Sequence, residues 1–204
     1  MSPQRSWNGL RACMAALALL ASSSAATYAS PSRHNGVNDR PFLHLMGSVE
    51  GPSGYNQITN APRLRPEKPL VQMTIREVLA FQRQVRASGA ASSAMGRYQF
   101  NYQTLGYITE TLGIDPDLRF DRITQDALAR FEMRRCGFYE PVASDARVAN
   151  CLAAVWAALP RVSGPNAGRS RYHGLAGNRA QVSRAEFLRA LGQRFPDTRS
   201  AERH

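Results

Sequence analysis

The stretch Gly47 to Ile58, "GSVEGPSGYNQI", sets the reading of this chain. It places a single carboxylate, Glu50, where a helical pattern breaks into a turn. Upstream, "PFLHLMGSVE" over residues 41–50 reads as a short helix. Pro41 suits its first turn, and Phe42, Leu45, Met46 and Val49 recur at helical spacing. Gly51-Pro52 should stop it. Tyr55 to Thr59 then reads as the start of a strand. An acid in such a place is either a solvated surface group or a proton donor held at the mouth of a cleft.

Working outward, residues 30–40 are polar and read as a flexible leader, and "NAPRLRPEKPLVQM" is a proline-rich loop. The helix "TIREVLAFQRQVRA" opens on Thr74 and Glu77 in the Ser/Thr-x-x-Glu relation of a capping box, with Ile75, Val78, Leu79 and Gln82 on one face. A small-residue loop, "ASSAMG", leads into a turn and a helix ending near Leu112. "RITQDALARFEMRR" has Ile123, Ala127, Leu128 and Phe131 at helical spacing. "DARVANCLAAVWAALP" is the most apolar helix, with Val148, Leu152, Val155, Trp156 and Leu159 inward and Pro160 closing it. A long Gly- and Arg-rich loop precedes the last helix, which opens on a second capping box, Ser183 and Glu186. The pattern predicts an α+β, mainly α fold of about six helices with two or three short strands near residues 54–70. Strands and helices do not alternate, which excludes a doubly wound parallel sheet.

The first 29 residues have arginines at 5 and 11, no acid, an apolar run over 12–21 and then small residues. That is the layout of a secretory signal peptide, with cleavage expected near Ala29. The run is too short to span a bilayer, so no stable membrane anchor is expected. Residues 41–195 then form one domain and 196–204 a polar tail. Without the leader segment the formal charge falls from +11 to +9, nearly all of it arginine, since Lys68 is the only lysine. A basic surface points to a polyanionic partner. In an exported chain, wall carboxylates and phosphates or an anionic membrane surface fit better than nucleic acid. Two cysteines follow the signal segment, Cys136 and Cys151. Export favours a disulfide between them, worth about 3 kcal/mol for so short a loop; two buried thiols are the alternative.

HExxH, CxxC, GxSxG and the P-loop pattern are all absent, and His34, His44, His173 and His204 lack metal-ligand spacing. No metal and no cofactor are therefore implied. Carboxylate chemistry is what the residues leave open.

"VEGPSGYNQI" followed by "SSAMGRYQF" resembles the lysozyme-like superfamily of lytic transglycosylases, goose-type lysozymes and lambda-type endolysins. Four elements agree in order between Phe42 and Gly164: Glu50-Gly51 with Gly54-Tyr55; the Gly-Arg-Tyr-Gln run of Gly96 to Gln99; Gln125-Asp126-Ala127; and the helix end from Cys151 to Pro160. Exported muramidases that serve envelope secretion are also similar, in the "ASSAxGRYQF" character. The resemblance implies a lysozyme-like fold with a cleft, and an exported enzyme cutting the β-1,4 bond between N-acetylmuramic acid and N-acetylglucosamine. Glu50 would be its acid/base. Tyr55, Asn56, Gly96, Tyr98 and Gln99 would line the sugar site, with Ser92 and Ser93 placed to hydrogen-bond Glu50 across the cleft. The alternatives for Tyr98, Tyr55 and Asn56 are structural roles in the core and the strand. One acid without a partner carboxylate favours the transglycosylase route over hydrolysis. The implied partner is peptidoglycan glycan strands, with a secretion or assembly apparatus as a second, and the implied state is a periplasmic or secreted monomer. Rival readings are a non-catalytic wall-binding protein on the same fold and a chitinase-type glycosidase.

Overall fold

The computed structural model describes residues 36–59 and 64–196. The signal segment 1–29, most of the leader and nearly all of the tail lie outside them. Six helices run in chain order: α1 (Arg40–Val49), α2 (Ile75–Ala87), α3 (Tyr102–Thr111), α4 (Arg122–Arg135), α5 (Asp145–Val155) and α6 (Arg184–Gly192). The mainly helical class and the six helices agree with the sequence pattern. Both capping boxes form. Thr74 accepts from the Glu77 backbone N–H while Glu77 accepts from that of Thr74, and Ser183 and Glu186 do the same at α6. Asn101, Asp121 and Ser144 cap α3, α4 and α5.

The core is built around Phe42 of α1. Its ring meets Phe138, Trp156 and, on α6, Phe187, with ring centroids 5.4, 6.0 and 6.1 Å away. α1 and α5 both pack on α6, α2 packs on α3, and α4 packs on α5. A disulfide joins Cys136, at the end of α4, to Cys151 of α5. Among the described residues no helix is long and apolar enough to cross a membrane.

Three expectations need correction. Among the described residues the β region contains only isolated antiparallel bridges, including Ile58 to Met95 and Met95 to Phe100. In place of a strand from Tyr55, residues Gly54–Asn56 form a 3-10 turn. Gly54 has φ +83°, a conformation that glycine adopts freely, and it bends the chain before pairing begins. Next, α5 ends at Val155, short of Pro160. Trp156 turns extended and donates its indole N–H to the Tyr98 carbonyl at 3.0 Å. Lastly, α4 is rotated from its expected face. Ile123 is 80% exposed, whereas Thr124, Gln125, Leu128 and Glu132 are buried. Polar side chains can face inward there because they find partners: Gln125 makes three hydrogen bonds, and Glu132 pairs with Arg135 at 2.8 Å.

Candidate active site

Glu50 follows the last residue of α1, and its backbone N–H still bonds to the Met46 carbonyl at 2.9 Å. The helix axis therefore fixes where its side chain starts. The next residue, Gly51, is buried, and a β-carbon there would come within 2.5 Å of the Arg97 carbonyl oxygen. Only glycine lets α1 end this close to the 96–99 turn. One turn earlier, a β-carbon at Gly47 would overlap the Arg97 guanidinium. Gly47 within α1 and Gly51 just past its end thus seat Arg97 against the helix.

The Glu50 carboxyl is half-buried. One oxygen accepts from the Ala158 N–H at 3.0 Å. The Ala158 peptide is itself held, since its carbonyl accepts from Gln181 N–H at 2.8 Å. Among the described residues the other oxygen makes no hydrogen bond. Burial pushes the carboxyl pKa above the usual range, and the Ala158 hydrogen bond offsets only part of that. Among the described residues no ion pair or second carboxylate acts on it. Among the described residues, no three His, Cys, Asp or Glu side chains gather into a group that could hold a metal.

The turn opposite is a four-residue loop, Gly96 to Gln99, closed by reciprocal backbone bonds between Met95 and Phe100 at 3.1 and 3.0 Å. Gln82, fully buried on α2, donates to the Ser93 and Phe100 carbonyls at 2.9 and 2.7 Å and fixes its base. Gln99 has φ +48°, the single positive value at a non-glycine among the described residues. Strain of this kind persists where surrounding structure holds it and clusters at functional sites. Its amide N–H donates to the Gly96 carbonyl at 2.7 Å.

The other expected sugar-site residues mostly serve the scaffold. Tyr98 is an interior side chain, 1% exposed, and its hydroxyl donates to Asp126 at 2.7 Å. It offers no stacking face. The Tyr55 hydroxyl donates to the same Asp126 oxygen at 3.0 Å, and the Arg97 and Arg122 guanidiniums lie over its ring. Burial and then Asp126 raise the pKa of both phenols. Asn56 accepts from Val71 N–H at 3.1 Å and holds the Leu70–Gln72 turn. Ser93 is buried, accepts from the Tyr102 N–H at 3.1 Å, and makes no bond to Glu50. Gly96, at φ +79°, is required because a β-carbon would collide with the Gln125 amide. Gln125 joins both turns beside Glu50: it accepts from Arg97 N–H at 2.8 Å and donates to the Tyr55 carbonyl at 3.0 Å.

Ala158, Arg97 and Asp126 were not anticipated as site residues. Ala158 acts through its backbone, which no residue type reveals. Arg97 had two available signals, the Gly-Arg-Tyr-Gln run that contains it and the small residues Gly47 and Gly51 at the end of α1. An open groove of about 370 Å³ runs beside α1, between Arg40, Leu43 and His44 on one side and Asp126 and Arg130 of α4 on the other; Glu50 does not line it. Comparison with known proteins returns no match to the chain: no family model, no curated protein and no solved structure aligns with it.

Proposed function

We propose that the protein is an exported peptidoglycan glycosidase of lysozyme-like type, with Glu50 as its general acid. The observation that carries this reading is the setting of the Glu50 carboxyl. Burial favours its protonated form, one oxygen is tethered to Ala158, and the other makes no hydrogen bond among the described residues. A general acid needs a pKa raised toward the working pH and an oxygen within reach of the leaving group. The order of motifs from Glu50 to the Cys151–Pro160 segment, like that of lysozyme-like enzymes, adds the substrate class, and the leader segment adds the envelope setting.

In this reading Glu50 gives its proton to the glycosidic oxygen as the bond from the muramic acid C1 breaks. The resulting carboxylate then takes a proton back. It comes from the sugar's C6 hydroxyl, which closes a 1,6-anhydro ring, or from a water that adds to C1. Among the described residues no second carboxylate acts on Glu50, so neither a nucleophile nor a base on the opposite face of the sugar is supplied, and the first route is the one we favour.

Digestion of purified sacculi, with the products weighed by mass spectrometry, tests this. Muropeptides one water lighter than hydrolytic products are expected. Hydrated products alone would leave a glycosidase but sink the anhydro route. No release from sacculi alongside cleavage of chitin oligomers would reassign the polymer. No release from either would leave a wall-binding or assembly protein.

A further inference from the structure

The groove beside α1 holds three guanidiniums, Arg40, Arg97 and Arg130, around one acid, Asp126. Their pairing is unequal. Arg130 is matched by Asp39 at 2.7 Å. Asp126 is engaged by the two phenols, Tyr55 and Tyr98, on a single oxygen. Among the described residues Arg40 and Arg97 form no ion pair. Arg97 is also not a freely swinging surface side chain. It is half-buried, seated in the notch left by Gly47, with its guanidinium 5.2 Å from the centroid of the Tyr55 ring. Holding a long cation in one place sacrifices rotamer freedom, and no acid among the described residues pairs with it.

We infer that the groove binds the carboxylate or phosphate oxyanion of a small organic ligand, through Arg40 and Arg97. A fixed, planar guanidinium with no internal partner is suited to fork-like recognition of an oxyanion. The groove, about 370 Å³ and open to solvent, has room for a small organic molecule. The Tyr55 and Tyr98 hydroxyls both bond one oxygen of Asp126, and among the described residues Asp126 forms no ion pair with Arg40 or Arg97. This site is separate from Glu50, and the inference does not depend on the glycosidase reading.

The test follows the arginine side-chain Nε–H resonances of the purified chain by NMR while inorganic phosphate or glutarate is added. Saturable shifts at Arg40 and Arg97 with at least one probe are expected. Saturation by phosphate alone assigns a phosphorylated ligand, and saturation by glutarate alone a carboxylate. Arg40→Gln, at an exposed and unpaired position, should weaken the binding by about tenfold. Gly47→Ala, which keeps every charge but displaces the Arg97 guanidinium, should also weaken it. Arg169→Gln, outside the groove, should not. Shifts that fail to saturate by about 50 mM, a very weak affinity, or that appear equally at arginines outside the groove, would overturn the inference. Unchanged affinity in both Arg40→Gln and Gly47→Ala would do the same.

Discussion

Asp39 and Glu50 bracket the same helix, one before its first residue and one after its last, and the fold treats them in opposite ways. The Asp39 carboxylate accepts from the Arg130 guanidinium at 2.7 Å and from the Tyr139 hydroxyl at 3.1 Å. Those bonds tie the start of α1 to α4 and to the segment after it, and burial together with Asp39 raises the Tyr139 pKa. Among the described residues Glu50 receives one neutral N–H and no cation, and it is half-buried. A matched carboxylate holds elements together. An under-matched one favours its proton and can give it away, which is the property proton-transfer chemistry uses.

Four substitutions can break or sharpen that contrast, read as thermal midpoints. For a chain of this size, 1 kcal/mol corresponds to about 2–4 °C. Asp39→Ala should have the largest effect, a loss of about 2–4 kcal/mol, because it leaves the partly buried Arg130 and the Tyr139 hydroxyl without their acceptor. Gly51→Ala comes next, at about 1–3 kcal/mol, since its β-carbon meets the Arg97 backbone, which cannot step aside cheaply. Gly47→Ala should stay within about 1 kcal/mol of wild type. Its β-carbon meets only the end of a flexible side chain, and alanine favours the helix.

Glu50→Gln should have the smallest effect and the opposite sign. The folded-state pKa of Glu50 lies above the unfolded value, so its contribution is present below the unfolded pKa and is lost as pH rises through the folded one. Replacing the acid with a neutral amide, which still accepts from Ala158, should therefore raise the midpoint at pH 7. The gain should vanish well below the ordinary value of 4.5. A midpoint lowered at pH 7 would mean that Glu50, like Asp39, is a structural acid.

The helices were readable because each carries a local signal. Thr74 with Glu77, and Ser183 with Glu186, mark their own helix starts, and Gly51-Pro52 marks the end of α1. The inward face of α4 was not readable. Its buried Gln125 and Glu132 invert the apolar pattern, and their partners come from distant segments or, for Glu132, from a neighbour on the same helix. The same reason hid the roles of Tyr98 and Ser93. Tyr98 looks like a cleft aromatic until Asp126 and Trp156 are seen to claim its hydroxyl and its carbonyl. Glu50 stood out because an isolated acid at a helix end is a one-dimensional feature. Its tether, the N–H of Ala158, lies far along the chain and carries no side-chain mark.

The central claim is that Glu50 supplies a proton for glycosidic cleavage, and the most direct test is the initial rate of muropeptide release from sacculi by wild type and by Glu50→Gln, with both proteins shown to be folded. The account predicts that wild type releases soluble muropeptides and that the substitution lowers the rate by at least about 100-fold, the scale of a lost general acid. Release by Glu50→Gln at the wild-type rate would contradict it.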